Sequence, residues 1–513
     1  MKEEKKELYS YHHFLFPFRF DKIVQPFEDR HDFYKDYTFD ERVNLEGLDK
    51  KLEKDGWEYQ KFEVKNHLDY NELVYFYDFV KDSLFNTQDF CKNATSYYFE
   101  KRNITNKYII TLKADKTNPQ TYTLDLTGIT LRVFDTGVAI LAFEIENHTY
   151  NDLKDIFNIN EYGRRIYPQF LTENYNKEET YKAFLAFSLE VNGIKEEFDQ
   201  TNYNEVKIAN FIRHTLGSTF TTNKKEKSRY YIQPLLDDRM FVVSHILNNC
   251  FSDNIKNGYN DSWYEYVFLD KYGNKMVHNS TMQKELITKA TYARWQEWGT
   301  LYGITRYSFV VLTDRGDFGK NVILNHVKTL YFQMVTLSLA TRATILRFSD
   351  EITALSDIDT KNRDLTQKIS HLYKNYLRFK NKLYFKEITP QEQGIELYDK
   401  IREMMRIDSD IADLSYEIAS LNNYAFLIDE REEKEQMNKL TKLGTYLLPP
   451  SLVAGIFGMN VFGKNSIDIE SVFGIGVAII FGIVSVFVAK FFIDKKIFSF
   501  SISSFNKKTK NKK

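Results

Sequence analysis

Toward its end the chain carries two apolar stretches. Leu447 to Phe462 reads Leu-Leu-Pro-Pro-Ser-Leu-Val-Ala-Gly-Ile-Phe-Gly-Met-Asn-Val-Phe, and after a short polar loop, Gly463 to Ser471, a second stretch runs from Val472 to Phe492. About twenty apolar residues cross the hydrocarbon core of a bilayer. Inside that core every backbone polar group must be bonded within the protein. The two stretches therefore predict a hairpin of membrane helices over 437–462 and 472–493, joined by an extracytoplasmic loop at 463–471 and preceded by a soluble bulk. Two crossings put both flanks on one side of the membrane. Lys495, Lys496 and the lysine-rich tail 494–513 follow the second span, and the positive-inside rule places them in the cytoplasm. The N-terminal bulk is then cytoplasmic too, in a chain expected in the cell inner membrane. No signal peptide opposes this: the charged start leads only into a short apolar run broken by Pro17 and Arg19.

A length of 513 residues allows two or three domains, and 43% hydrophobic residues suffice for a core. A net charge of −1 gives no argument for nucleic acid as a direct partner. Cys91 and Cys250 are the only cysteines, so no disulfide framework is implied. Aromatics reach 16% but are spread along the chain, as composition rather than as one stacking surface.

The soluble part reads as α+β. A helix is predicted near Tyr70 to Leu84. Tyr108–Leu112, Tyr122–Leu126, Ile129–Phe134 and Val138–Ile145 are rich in β-branched and aromatic residues and are separated by Asn118-Pro119, Thr127-Gly128 and Asp135-Thr136-Gly137, which predicts an antiparallel meander. A further strand is predicted at Phe241 to His245. An α/β sensing domain over 1–280 gives way to a helical stalk over 281–436. The helical pattern runs through Val322–Phe348 and Asn362–Phe385, then through one long helix that starts at Thr389-Pro390-Gln391-Glu392, with threonine as cap and proline in the first turn. No proline or glycine interrupts it between Gly394 and Gly444, so an unbroken helix of roughly 70 Å is expected. Ile407, Ile411, Leu414, Ile418, Leu421, Ala425 and Ile428 alternate by four and three, the seam of a coiled coil or bundle.

Gly458-Met459-Asn460 at the end of the first span, with Ala454-Gly455-Ile456, Pro449, Thr445, Thr441, Leu440 and Met437 before it, resembles the CorA family of divalent-cation channels. Ser451 stands where that family usually has threonine. The resemblance implies a homopentamer in the lipid bilayer, with the long helix running into the first span and lining the pore, and Mg2+ or another divalent cation as the transported ion.

A magnesium ion is small and holds its octahedral water tightly, so a selective mouth is expected to bind the hydrated ion with neutral oxygens. A ring of Asn460 carbonyls would do this, with Gly458 letting the backbone come close and Met459 between them. The other reading makes Gly-Met-Asn an ordinary helix C-terminus. Met437 and Leu440 match positions that form hydrophobic constrictions in the family, while local sequence alone reads them as packing. Thr441, Thr445 and Ser451 would line the pore between gate and mouth. The acidic run Asp429 to Glu435 is either a solvated helix face or, repeated around a ring, a cation-focusing inner mouth. Gly474, Ala478 and Gly482 form a small-residue packing face on the second span. Two departures stand out. Pro450 doubles Pro449 and predicts a kink or local unwinding, and Lys464 stands in the loop where an acidic and aromatic motif is common.

The cytoplasmic part is larger than is typical of the family. Phe14 to Asp21, Ile159 to Phe170, Pro234 to Met240 and Gly299 to Gly303 resemble a branch encoded beside type III CRISPR systems. That resemblance implies an antiviral effector switched by a small nucleotide messenger such as S-adenosylmethionine joined to AMP. Candidate ligand residues are Arg164 and Arg165 for phosphate, Asp237 and Asp238 to accept from ribose or an amino group, Arg239 beside them in sequence, and Tyr162 or Tyr302 for adenine; the alternative is that the arginines pair with acids at a subunit interface and the tyrosines fill the core. Arg315 to Lys320 lacks the spacing of a phosphate-binding loop. No catalytic pattern appears, and no enzyme is expected. The competing functions are a constitutive magnesium or cobalt transporter and a non-conducting membrane anchor.

Overall fold

The computed structural model describes residues 6–87, 90, 94–113, 119–166, 187–198, 208–237, 239–356, 363–458, 476, 479–484 and 487. It divides into two units, Met1–Asn422 and Asn423–Lys513. In the first, the strands are β1 Ser10–Lys22, β2 Trp57–Tyr59, β3 Ser96–Lys101, β4 Lys107–Leu112, β5 Gln120–Phe134, β6 Val138–Asn147, β7 Phe187–Val191, β8 Ile194–Phe198, β9 Phe220–Thr221, β10 Tyr230–Pro234, β11 Phe241–Leu247, β12 Thr291–Trp295, β13 Thr300–Ile304 and β14 Ser308–Thr313. They form one sheet in the order β12-β13-β14-β11-β1-β6-β5-β4-β7-β8, with β10 also on β1 and β3 also on β5.

The centre of this sheet is β1, the segment that reads in sequence as a broken apolar run. Phe14, Phe16, Phe18 and Phe20 lie two residues apart, share a face and are buried together in the main core. On one side β1 pairs with β6; on the other it pairs with β11 as far as Leu15 and with β10 from Phe18. Pro17 falls in the gap between β11 and β10, where its missing N–H breaks no ladder bond, and its carbonyl accepts from Leu235 N at 3.3 Å.

The predicted meander exists as β4-β5-β6, with one correction. Tyr122–Leu126 and Ile129–Phe134 are a single strand, β5, because Thr127-Gly128 makes a bulge between Leu126 and Gly128 and does not reverse the chain. Asp135-Thr136-Gly137 does reverse it, with Gly137 at φ 74°. The helix predicted near Tyr70–Leu84 is two helices, His67–Tyr75 and Asp78–Leu84.

The helical stalk expected from residue 281 is also corrected. A helix, Ser280–Ala290, is followed by β12, β13 and β14, which complete the sheet through parallel pairing of β14 with β11. The long helix Leu330–Ser356 then packs on β1 and β6 and is buried around most of its girth. Helices Arg363–Lys382 and Glu392–Met405 follow. The unbroken helix expected from Pro390 is interrupted at Arg406, which adopts φ 57° and donates its N–H to Glu403 O at 3.0 Å. A left-handed C-cap is usually glycine; here Arg402 bridges the break by pairing with Asp399 and Asp408 instead. The helix Ile407–Gly458 follows, and Ile407, Ile411, Leu414 and Ile418 of the expected seam are buried.

A buried ionic cluster ties the Leu330–Ser356 helix to the sheet. Arg347 Nη2 donates to Asp21 at 2.6 Å, and Arg347 Nη1 donates to the carbonyls of Phe20 at 2.9 Å and Gly137 at 2.7 Å. Arg42 links Asp21 at 2.7 Å to Glu351 at 2.8 Å. Burial would raise the Asp21 carboxyl, but Arg347, Arg42 and Arg19 hold it well below the ordinary carboxylate range. A Cβ on Gly137 would come within 2.7 Å of the Arg347 guanidinium, so glycine here serves both the turn and the ion pair.

Candidate functional site

The helix Ile407–Gly458 carries most of the residues assigned to an ion path. At 100° per residue, Met437, Thr441, Gly444, Leu448, Ser451 and Gly455 recur by four and three and fall on one face, with Leu440 and Thr445 on its two flanks. Met437, Leu440 and Leu448 are 63%, 64% and 69% exposed in the single chain. At Gly444 and Gly455 an added Cβ would meet nothing within 4 Å. The face is thus apolar, long and uncovered, far beyond the scattered exposed leucines of an ordinary surface.

Three hydroxyls interrupt it chemically, those of Thr441, Thr445 and Ser451, and two of them are bonded back on the helix. Thr445 Oγ1 donates to the Thr441 carbonyl at 2.7 Å, and Ser451 Oγ donates to the Leu447 carbonyl at 2.7 Å. With their protons turned back on the helix, both oxygens present only lone pairs outward. A cation or its bound water is matched to such acceptors; an anion is not.

The helix runs through Pro449 and Pro450 without a break, so the local unwinding expected from the pair does not occur. Two missing donors leave the Thr445 and Tyr446 carbonyls without their usual i+4 partners, but proline's fixed φ is itself helical. Gly458 is the last described residue of the helix; Met459, Asn460 and Lys464 lie outside the described residues. The same holds for most of the second span and for the lysine tail. Among the described residues no helix is long and apolar enough to cross a membrane. Lys439 and Lys442 sit at the start of the expected first span, and Thr445, the proline pair and Ser451 dilute its hydropathy.

The ligand candidates separate into two places. An isolated bridge between Arg165 and Arg239, and a hydrogen bond from Met240 N to Arg164 O at 2.7 Å, bring Arg164, Arg165, Asp237 and Arg239 together. Both Arg164, at 2.8 Å, and Arg165 pair with Glu161 at the end of the helix Leu153–Gly163. Burial pushes the Glu161 carboxyl up, and the two arginines more than reverse it. Arg239 holds Asp237 through Nε at 2.9 Å and Nη2 at 2.7 Å. Asp238 lies outside the described residues. Gly163 is filled space, not a flexible joint: a Cβ there would lie 2.7 Å from Phe14. Tyr162 is buried, with Lys271 5.3 Å above its ring.

Tyr302 is not part of this group. It is fully buried on β13, with Tyr292, Trp295, Phe309 and Tyr331 around its ring at 5.7 to 6.2 Å. The aromatic beside the arginine cluster is Tyr307, in the β13–β14 turn, which lies 5.9 Å from Arg239 and 5.6 Å from Arg342. Sequence reasoning missed Tyr307 and Arg342, since only the fold brings residues 239, 307 and 342 together.

Residues 334–493 match the family described as CorA-like Mg2+ transporter protein. The match starts within the Leu330–Ser356 helix, takes in the three helices after it and extends past Gly458. The C-terminal part of the chain is therefore similar to CorA-like domains, whose family comprises membrane homo-oligomers that transport divalent cations such as Mg2+. No curated protein matches the chain.

Proposed function

We propose that the chain is the subunit of a divalent-cation channel, in which about five copies set the Met437–Gly455 face around a common axis and the Gly458-Met459-Asn460 segment at the mouth. The observation that carries this reading is that face. It lies within the family match, and it is exposed, largely apolar and interrupted by small hydroxyl side chains, of which Thr445 and Ser451 turn their protons back on the helix. In water such a strip is costly, at about 25 cal/mol per Å2, and other copies of the same helix with lipid around them would cover it. Met437 and Leu440 form the narrow apolar gate, and Asn460 carbonyls receive the hydrated ion. The two spans cross as expected from their sequence, with the α+β unit in the cytoplasm.

The α+β unit is then a sensor. Its sheet is locked to the first matched helix by the Asp21–Arg347–Glu351 cluster, which supports a route from ligand to gate. A messenger held near Arg164, Arg165 and Arg239 has to compete with Glu161 and Asp237 for those guanidiniums. It shifts gating only by binding the open and closed states differently. A nucleotide such as S-adenosylmethionine joined to AMP, in a type III CRISPR effector, is the finer form of this reading. The alternative is a constitutive magnesium or cobalt transporter answering to intracellular divalent ions.

Reconstitution into liposomes tests the proposal. Wild-type protein is expected to conduct Mg2+ or Co2+, and Asn460→Ala to lose selective conduction while still assembling. Absence of flux under every condition, or unaltered ion preference in Asn460→Ala, would sink the pore reading. Flux that ignores nucleotides but is closed by Mg2+ selects the constitutive alternative.

A further inference from the structure

We infer that the cavity beside the Gly217 turn is a binding site for a small, soluble, phosphate-bearing ligand, separate from both the arginine cluster around Glu161 and the ion path. The cavity measures about 540 Å3 and lies between the end of the helix Asn210–Leu216 and the loop from β9 to β10. That volume is in the range of small-ligand pockets. Its wall carries Arg213, Arg229, Ser218, Thr222, Asn223 and a single acid, Glu226.

The charges in this wall do not cancel. Glu226 is committed to Arg229, and also accepts from Asn223 Nδ2 at 3.3 Å. Arg213 pairs with the neutral amide oxygen of Asn210. Among the described residues no acid reaches Arg213. Two guanidiniums against one carboxylate on a single cavity wall suit an occupant that accepts hydrogen bonds and carries negative charge.

Groups that would repel such an occupant already accept hydrogen bonds. The helix C-terminus is covered where its negative end would face the cavity: Arg213 O accepts from Gly217 N at 3.0 Å, Thr215 O from Lys101 Nζ at 2.7 Å and Leu216 O from Trp57 Nε1 at 3.2 Å. The neighbouring carboxylate, Asp55, accepts from Ser218 N at 2.8 Å, Ser218 Oγ at 2.7 Å and Thr219 N at 2.7 Å. The loop adds Lys224, Lys225 and Lys227 to the local positive field. A phosphate group suits guanidiniums from two elements better than a flat carboxylate does, because its three oxygens accept from several directions.

The test is 31P line broadening of inorganic phosphate by the full-length protein in detergent, with competition by citrate and by a short-chain phosphatidic acid. Wild type is expected to broaden the signal saturably, Arg213→Gln to bind about tenfold more weakly or worse, and Arg213→Lys to keep part of the affinity. Thr222→Val, on the same wall, gives a second reading should loss of Arg213 unfold the protein, with binding a few-fold weaker. No saturable broadening by wild type, or equal broadening by wild type, Arg213→Gln and Thr222→Val, overturns the site. Displacement by citrate at lower concentration than phosphate overturns the phosphate assignment, and displacement by the phosphatidic acid at lower concentration overturns the soluble source.

Discussion

The α+β unit and the 437–458 stretch of the last helix solve opposite problems. In the first, polar groups have gone inside and found partners: Arg347 is fully buried, yet it bonds Asp21 and two backbone carbonyls. In the second, apolar groups stay outside without partners: Met437, Leu440, Leu447 and Leu448 are all exposed. The carboxylates of a buried charge network find their cations within one chain. An apolar strip of this length is complete only with something else against it. The contrast sets internal charge pairing in the first region against an unpaired apolar surface in the second.

The largest expected effect tests the first half of this contrast. Asp21→Ala strands Arg347 and Arg42 with one carboxylate fewer, and denaturant unfolding should show a loss of about 3–5 kcal/mol. A loss below 1 kcal/mol would mean that the cluster is not what holds the helix on the sheet. Next, the double variant Met437→Ser/Leu440→Ser should leave that unfolding transition unchanged and raise resting ion flux in liposomes roughly tenfold, since a gate that works by dewetting fails when polar. Unchanged flux would return both residues to simple packing.

A third effect depends on pH. His12 and His13 are lowered to about 4, and His245 to about 3, chiefly by burial. Their folded values lie below the unfolded value near 6.5, so their neutral forms contribute stability above that pH, which is lost as pH falls toward 4. Each should contribute about 1.4 kcal/mol per pH unit over this window. Asp135 opposes them: burial first, against the pull of Arg378, raises it to about 6, and its contribution falls as pH rises through that value. Replacing His245 by Gln should flatten the slope of stability against pH by one histidine's share; an unchanged slope would show that His245 is charged when folded. The smallest effect is expected at Thr445→Val, which removes an outward lone pair. Assembly should be unaffected and divalent conduction reduced a few-fold, and no change would take Thr445 out of the ion path.

The helix that ends at Gly458 was legible because a helix repeats every 3.6 residues and its faces can be read without knowing its neighbours. The 4-3 spacing from Met437 to Gly455 needs no tertiary information. Strand content at β4, β6 and β11 was legible for a similar reason, since alternation and turn residues are local. The β5 bulge was not: Thr127-Gly128 is as good a turn as a bulge until Glu144 and Ile145 are placed opposite it. The break at Arg406 was not either, because it uses a left-handed arginine where glycine is usual, stabilised by side chains on both sides.

Sequence by itself determined the periodic and the local: an apolar strip on a long helix, the run of strands, and the resemblance carried by Gly458-Met459-Asn460 and the residues leading to it. Tertiary structure alone decided what lies far apart in the chain and close in space. It put Pro17 in the middle of a sheet at the one gap that tolerates it, tied Asp21 to Arg347 and drew Tyr307 next to Arg239 while sealing Tyr302 in the core. Among the described residues it also left Arg213 without an acid. The physical reason is that periodicity is a property of the backbone, whereas pairing of charges and rings depends on which surfaces the fold brings face to face.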